Sequence, residues 1–358
     1  MLVSKQVHYL FMVIFNSTIK NILLSGLRRY NRQFNLKSLD SFILAYHSVV
    51  NDKQYDNNGF QPNASFKIKR RDFESQIKFL KKNYEILPLN VLIDLLKKKD
   101  DVTGKIAITF DDGYRDNYEH AYPILREHEV PATIYLLASI FNNDNILLWW
   151  LQLEETISSA KECNIRFKFM NTEYTGTLKN DESKKKFFMK ISRLLIKSEP
   201  AKQRDLLIAL TEAAGLVELS DHRDYLLFLE MIMEMKDSGL ISFGSHTFSH
   251  CALNILSKSD LKRDVLESKR VIESYLGDTI TSFSFPYGKS LFINKRVLRI
   301  VKKAGYLYAV TGIPGGLVSR SGHNTYLLPR ISMAGCSSNE QLQIRISRIY
   351  NHIKYFVT

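Results

Sequence analysis

From residue 41 onward the chain alternates short apolar runs with longer amphipathic stretches, and few folds accept that alternation. The apolar runs are FILAYHSV (42–49), KIAITF (105–110), ATIYLLAS (132–139), ISFGSHT (241–247), TSFSFPYG (281–288), LYAVTG (307–312) and LLPRISM (327–333). Between them, residues 73–82, 117–129, 226–238 and 259–276 carry helical spacing. Strands interleaved with helices predict an α/β domain. Residues able to do chemistry gather where the predicted strands end: His47, Asp111, Asp112, His246, Tyr287 and Arg330. In a barrel of parallel strands the C-terminal ends converge on one face, where such barrels keep their active sites.

Residues 142–225 break this rhythm. They are rich in Lys, Glu, Leu and Ser, lack the alternation, and contain the adjacent pair Trp149-Trp150. They read as a mostly helical insertion between two strands of a body spanning 41–358. Residues 1–40 read as a separate basic helical extension.

The net charge is +13, and its location matters more than its size. Residues 1–40 carry six Lys/Arg against one Asp, and residues 161–206 carry twelve against six acids, so these stretches hold 11 of the 13 charges. Anionic lipid or an anionic glycan suits them; no nucleic-acid module accompanies the charge, so nucleic acid is not expected. The apolar run at 7–15 is shorter than the roughly 20 residues of a spanning helix and is followed by no small-residue cleavage site. Ile19, Ile22, Leu23 and Leu27 recur at helical spacing beside Lys20, Arg28, Arg29 and Arg32, which fits an interfacial helix or one packed on the body. The three cysteines form no close pair, so any metal site must draw on His and carboxylate. The odd cysteine count favours a reducing compartment. A cytoplasmic or peripheral membrane location is therefore expected over a secreted one.

Three motifs carry the chemistry. Asp111 and Asp112 follow a strand and precede Gly113, which permits a sharp turn. Two carboxylates in one dry site repel unless a cation relieves them, or unless one serves a metal and the other acts as base. His246 and His250 follow another strand at a spacing that would put both on one face of a helical turn, suited to one metal ion. A carboxylate with two neutral imidazoles leaves positions open for water and substrate, the pattern of a catalytic site. Phe285-Pro286-Tyr287-Gly288 forms a turn that could present the Tyr287 backbone N–H to an oxyanion.

TFDDG, SHTxxH and FPYG in this order resemble the polysaccharide deacetylase family, the NodB-like carbohydrate esterases, over roughly residues 41–140 and 226–335. The resemblance implies a distorted (β/α) barrel and hydrolysis of N-acetyl groups on a surface or lipid-linked bacterial glycan. It implies Asp111 as the base activating a metal-bound water. Asp112, His246 and His250 match the metal ligands, for Zn²⁺ or else Co²⁺, Mn²⁺ or Ni²⁺. Two departures stand out. The family often has Arg two residues before the Pro of its third motif, where this chain has Ser284; Arg330 is the candidate substitute. The family's late Leu-x-His, which supplies the general acid, has no match, leaving His47 and, less well placed, His323. Two other functions remain compatible: an O-acetyl esterase on a glycan, and a carbohydrate-binding protein whose catalysis has decayed.

Overall fold

The computed structural model describes residues 26, 38, 40–53, 59–142, 145–318, 324–348 and 350–351. The expected extension over 1–40 lies outside these except for Gly26, Ser38 and Asp40, and His323 lies outside them too. In chain order the strands are β1 (Phe42–Tyr46), β2 (Ser48–Val50), β3 (Lys67–Lys69), β4 (Glu85–Ile86), β5 (Lys105–Phe110), β6 (Ala132–Leu136), β7 (Asn164–Phe169), β8 (Thr172–Thr177), β9 (Ile241–Ser245), β10 (Ser282–Ser284), β11 (Tyr308–Val310) and β12 (Ile331–Ser332).

The central sheet is parallel, in the order β11-β10-β9-β6-β5-β1-β12, with β4 on the first residues of β5. All seven apolar runs contain one of its strands. Its two ends meet: Val310 forms a parallel bridge to Leu328, and Leu328 N–H donates to Ala309 O at 3.1 Å while Thr311 N–H donates to Leu328 O at 2.9 Å. The sheet is thus curled into a distorted barrel. Its strands read as continuous apolar runs because both faces are covered, and every residue of β1 and β6 is buried.

Side chains alternate across this sheet. Phe42, Leu44, Ile106, Ile108, Phe110, Ile134 and Leu136 share a core with the surrounding helices, whereas Ile43, Ala107, Tyr135 and Val310 pack in a second cluster with helix Leu89–Lys98. The inner face is tight around Tyr135. A Cβ added to Gly244 would meet the Tyr135 ring and Ser282 Oγ at 2.5 Å, so only glycine fits there. Helix Lys258–Leu276 buries Leu261, Val265, Ser268, Ile272 and Leu276, a stripe at helical spacing. It is capped by Ser257 Oγ, which accepts from Asp260 N–H, and stops at Gly277 in the left-handed region.

The insertion has a core of its own, built from Leu153, Ile157, Ile165, Phe167, Phe187, Ile191, Leu195 and Leu206 among others. Its helices are Trp149–Ser159, Asp181–Ile196 and Pro200–Ala213. It also contains the antiparallel hairpin β7–β8, absent from the sequence expectation. The hairpin turns at Met170 and Asn171, both with positive φ (46° and 60°), as a two-residue hairpin loop requires.

Candidate active site

Asp111 and Asp112 leave β5 at the barrel mouth, with Asp111 N–H still donating to Tyr46 O at 3.0 Å. Asp112 (φ 73°) and Gly113 (φ 68°) then turn the chain through the left-handed region. Aspartate tolerates that conformation better than most residues, at a cost of roughly 1–2 kcal/mol. Both carboxylates are buried.

His246 follows β9, its N–H donating to Leu136 O at 2.8 Å. Its Nδ1 lies 2.9 Å from Ser284 O. A carbonyl only accepts, so Nδ1 carries a proton and Nε2 is the ring nitrogen left to face Asp112. His246 Nε2 and His250 Nε2 lie 3.3 and 3.4 Å from the same atom, Asp112 Oδ1. The expected helical turn between the histidines is not formed. Residues 246–250 are an irregular loop with Thr247 (φ 71°) and His250 (φ 51°) in the left-handed region, so convergence comes from a tight bend and not from helical spacing. Asp264, on helix Lys258–Leu276, holds the bend by accepting from Phe248 N–H at 3.0 Å and Ser249 Oγ at 2.5 Å.

The donor atoms of Asp112, His246 and His250 all lie within 4.8 Å of one another. Asp112 Oδ1 is buried without a hydrogen-bond partner among the described residues. A buried carboxylate oxygen left without a partner and facing two imidazole nitrogens is what a cation-binding site presents. Burial alone would raise the Asp112 carboxyl, but the surrounding histidines hold it below its usual range. Burial pushes His250 down to about 4, so its ring is neutral and able to coordinate.

Arg330, 2% exposed, reaches Asp111 from just before β12. Its Nη2 donates to Asp111 Oδ2 at 2.6 Å and its Nη1 to Oδ1 at 2.9 Å. Ser284 Oγ accepts from Nη2 at 2.9 Å and donates to Asp111 Oδ1 at 3.0 Å. Thr109 Oγ1 accepts from Nη1, and Thr311 O accepts from Nε. Burial would raise the Asp111 carboxyl, but the Arg330 guanidinium, together with His246 and His47, holds the group far below the usual carboxylate range.

Tyr287 has φ 61° and its ring lies 5.0 Å from that of His250. Its hydroxyl donates to His250 O at 3.1 Å, and its backbone N–H has no backbone partner among the described residues. His47 stands between β1 and β2, held by Asn117 Nδ2 donating to its carbonyl at 2.7 Å, with its ring 5.0 Å from Phe66. Its Nδ1 is buried without a partner among the described residues, and burial lowers its pKa against the upward pull of Asp112 and Asp111. The mouth thus gathers His47, Asp111, Asp112, His246, His250, Tyr287 and Arg330, while His323 lies outside the described residues.

Four others were not assigned roles beforehand. Ser284 bridges Arg330 and Asp111. Asp264 shapes the histidine loop. Trp149 and Trp150 come from the insertion: Trp150 lies 4.6 Å from the His250 ring, and its Nε1 donates to Tyr114 Oη at 2.8 Å. The pair was visible in the sequence, but nothing there says that the insertion returns to the mouth.

An arginine-clamped carboxylate beside a carboxylate–imidazole cluster, at the mouth of a parallel barrel, defines an enzyme of the hydrolytic barrel class. The chain belongs to the polysaccharide deacetylase family, whose family model matches residues 98–309. It is 24% identical over 294 residues to YxkH of Bacillus subtilis (strain 168), which carries a polysaccharide deacetylase name; the match covers 82% of this chain and 71% of that one. It is 30% identical over 117 residues to the poly-β-1,6-N-acetyl-D-glucosamine N-deacetylase of Staphylococcus aureus, covering 32% of this chain and 37% of that enzyme. In fold it resembles the Streptococcus pyogenes deacetylase PplD, with TM-score 0.54 at 18% identity over 87% of this chain and 100% of that one. It also resembles IcaB from Ammonifex degensii, with TM-score 0.53 at 17% identity over 88% and 98% of the two chains.

Proposed function

We propose that the protein is a metal-dependent hydrolase that removes N-acetyl groups from an N-acetylglucosamine-containing surface polysaccharide. The observation that carries this reading is the partnerless Asp112 Oδ1 facing two imidazole Nε2 atoms beside an arginine-clamped Asp111. Asp112, His246 and His250 fit a divalent cation, Zn²⁺ by preference, with positions left open. A cation held by these three residues would supply Lewis-acid polarisation of the acyl carbonyl and would bring the pKa of water from 15.7 to about 7.

The chain's own residues do the rest. Asp111 takes the proton of the attacking water. Oδ1 already accepts from both Arg330 and Ser284, whereas Oδ2 accepts from Arg330 alone, so the open lone pair belongs to Oδ2. The Tyr287 N–H donates to the developing oxyanion. His47 delivers a proton to the departing amine, from a ring whose Nδ1 has no competing partner among the described residues. The glycan assignment is supported by likeness to the Staphylococcus aureus enzyme over the stretch matched.

Acetate release from N-acetylated β-1,6-glucosamine oligomers, with and without added Zn²⁺ after chelation, tests this. Metal-restored release supports it. Release only from O-acetylated oligomers would make the protein an esterase, and binding without release would make it a glycan-binding protein.

A further inference from the structure

The insertion reaches the barrel mouth through two adjacent residues, and these are the only tryptophans in the chain. Both lie at the start of helix Trp149–Ser159, whose Leu153 and Ile157 are buried in the insertion's own core. The place of the two indoles therefore depends on the insertion being folded. Asn63 Nδ2 donates to Trp150 O at 2.9 Å and to Glu154 Oε2 at 2.7 Å, which pins the first turn to the barrel.

Each indole then addresses a different side of the Asp112–His246–His250 cluster. Trp149 Nε1 donates to Tyr287 Oη at 3.1 Å, and that hydroxyl donates onward to His250 O at 3.1 Å. Trp150 covers the His250 ring at 4.6 Å and donates to Tyr114 Oη. Tyr114 sits one residue past Gly113 and two past Asp112, so this contact braces the other flank of the cluster. The indoles meet edge to face at 5.7 Å, so one unit braces both flanks. His250 needs such bracing. It sits at positive φ, and its Nδ1 has no hydrogen-bond partner among the described residues, whereas His246 is oriented by Ser284 O.

We propose that Trp149 and Trp150 are positioning residues of the metal site: the insertion orients His250 through them, and the cluster binds metal tightly only with both indoles docked. This rests on the metal-dependent reading above. Groups that orient ligands from behind typically contribute 10–100-fold in metal affinity.

Calorimetric titration of the chelator-treated full chain with Co²⁺ tests it. Trp150→Ala should weaken the Kd at least about tenfold. Trp150→Phe, which keeps a ring against His250 but loses the donor to Tyr114, should fall between it and wild type. Trp149→Phe should weaken binding by removing the donor to Tyr287. Co²⁺ should also quench wild-type tryptophan fluorescence, since both emitters lie at the site. A merely structural role predicts lower melting temperatures with wild-type Kd values, and that result overturns the proposal. If Trp150→Ala fails to fold, the two Phe variants decide: wild-type Kd values in both overturn it. A wild-type chain that takes up no Co²⁺ defeats the metal reading itself, and this proposal with it.

Discussion

Arg330 grips Asp111 fork to carboxylate, Nη2 to Oδ2 at 2.6 Å and Nη1 to Oδ1 at 2.9 Å, across 219 residues of sequence. The clamp favours the ionised carboxylate in a site where burial alone would raise its pKa. Because the folded-state pKa of Asp111 is depressed, its contribution to stability is present above the unfolded value, about 3.9, and is lost as pH falls through the folded value. Removing the guanidinium raises that pKa by about 1–3 units. Arg330→Met should therefore move the acidic limb of the pH–rate profile upward and lower the rate without releasing metal. It should also destabilise by about 3–5 kcal/mol, since a buried charge loses its partner. An unmoved acidic limb in a folded variant would leave Arg330 a purely structural strut.

Asp111→Asn keeps an acceptor for Arg330 but cannot take a proton. Metal content should match wild type while the rate falls by at least about two orders of magnitude, as for loss of a general base. Loss of metal instead would mean that the two aspartates exchange roles.

The barrel strands were legible because strands covered on both faces read as unbroken apolar runs, and their ends expose the motif residues. Ser284 and Arg330 could be paired in advance only as an absence and a candidate. Their contact depends on β10 and β12 lying near opposite ends of a sheet whose curl no local pattern encodes. The β7–β8 hairpin did leave a trace: Ile165 and Phe167 alternate with Asn164, Arg166 and Lys168 around the Met170-Asn171 turn. Surrounding charge hid that period of two. The irregular bend carrying His250 was hidden for the opposite reason, because four-residue spacing looks the same in a helix and in a tight loop.

His246→Ala or His250→Ala should abolish bound metal and activity while leaving the barrel folded. Metal content by elemental analysis, paired with circular dichroism, checks this. Full metal content in either variant would show that the donor set is wrong.

The basic charge at residues 1–40 suits an anionic membrane surface. Deleting residues 1–36 should leave hydrolysis of soluble oligomers intact and reduce sedimentation with phosphatidylserine vesicles, most visibly at low salt. Equal vesicle binding by the shortened chain would remove the membrane role.

Thr247 and His250 hold left-handed conformations that cost of order 1–3 kcal/mol each, so something must keep the bend from relaxing. Asp264 is placed to do so: its half-buried carboxylate accepts from Phe248 N–H and Ser249 Oγ, both inside the bend. Asp264→Ala leaves two donors without their acceptor, at about 1–3 kcal/mol each where they stay buried. It should lower the melting temperature and loosen the metal site, because His250 is the residue that closes the bend. Asp264→Asn retains an acceptor for Phe248 N–H, so it should recover most of the stability and much of the metal affinity. Thermal melts and Co²⁺ titrations on both variants separate the outcomes. If alanine lowers the melting temperature while the Co²⁺ affinity stays at the wild-type value, Asp264 braces its helix and not the histidine loop.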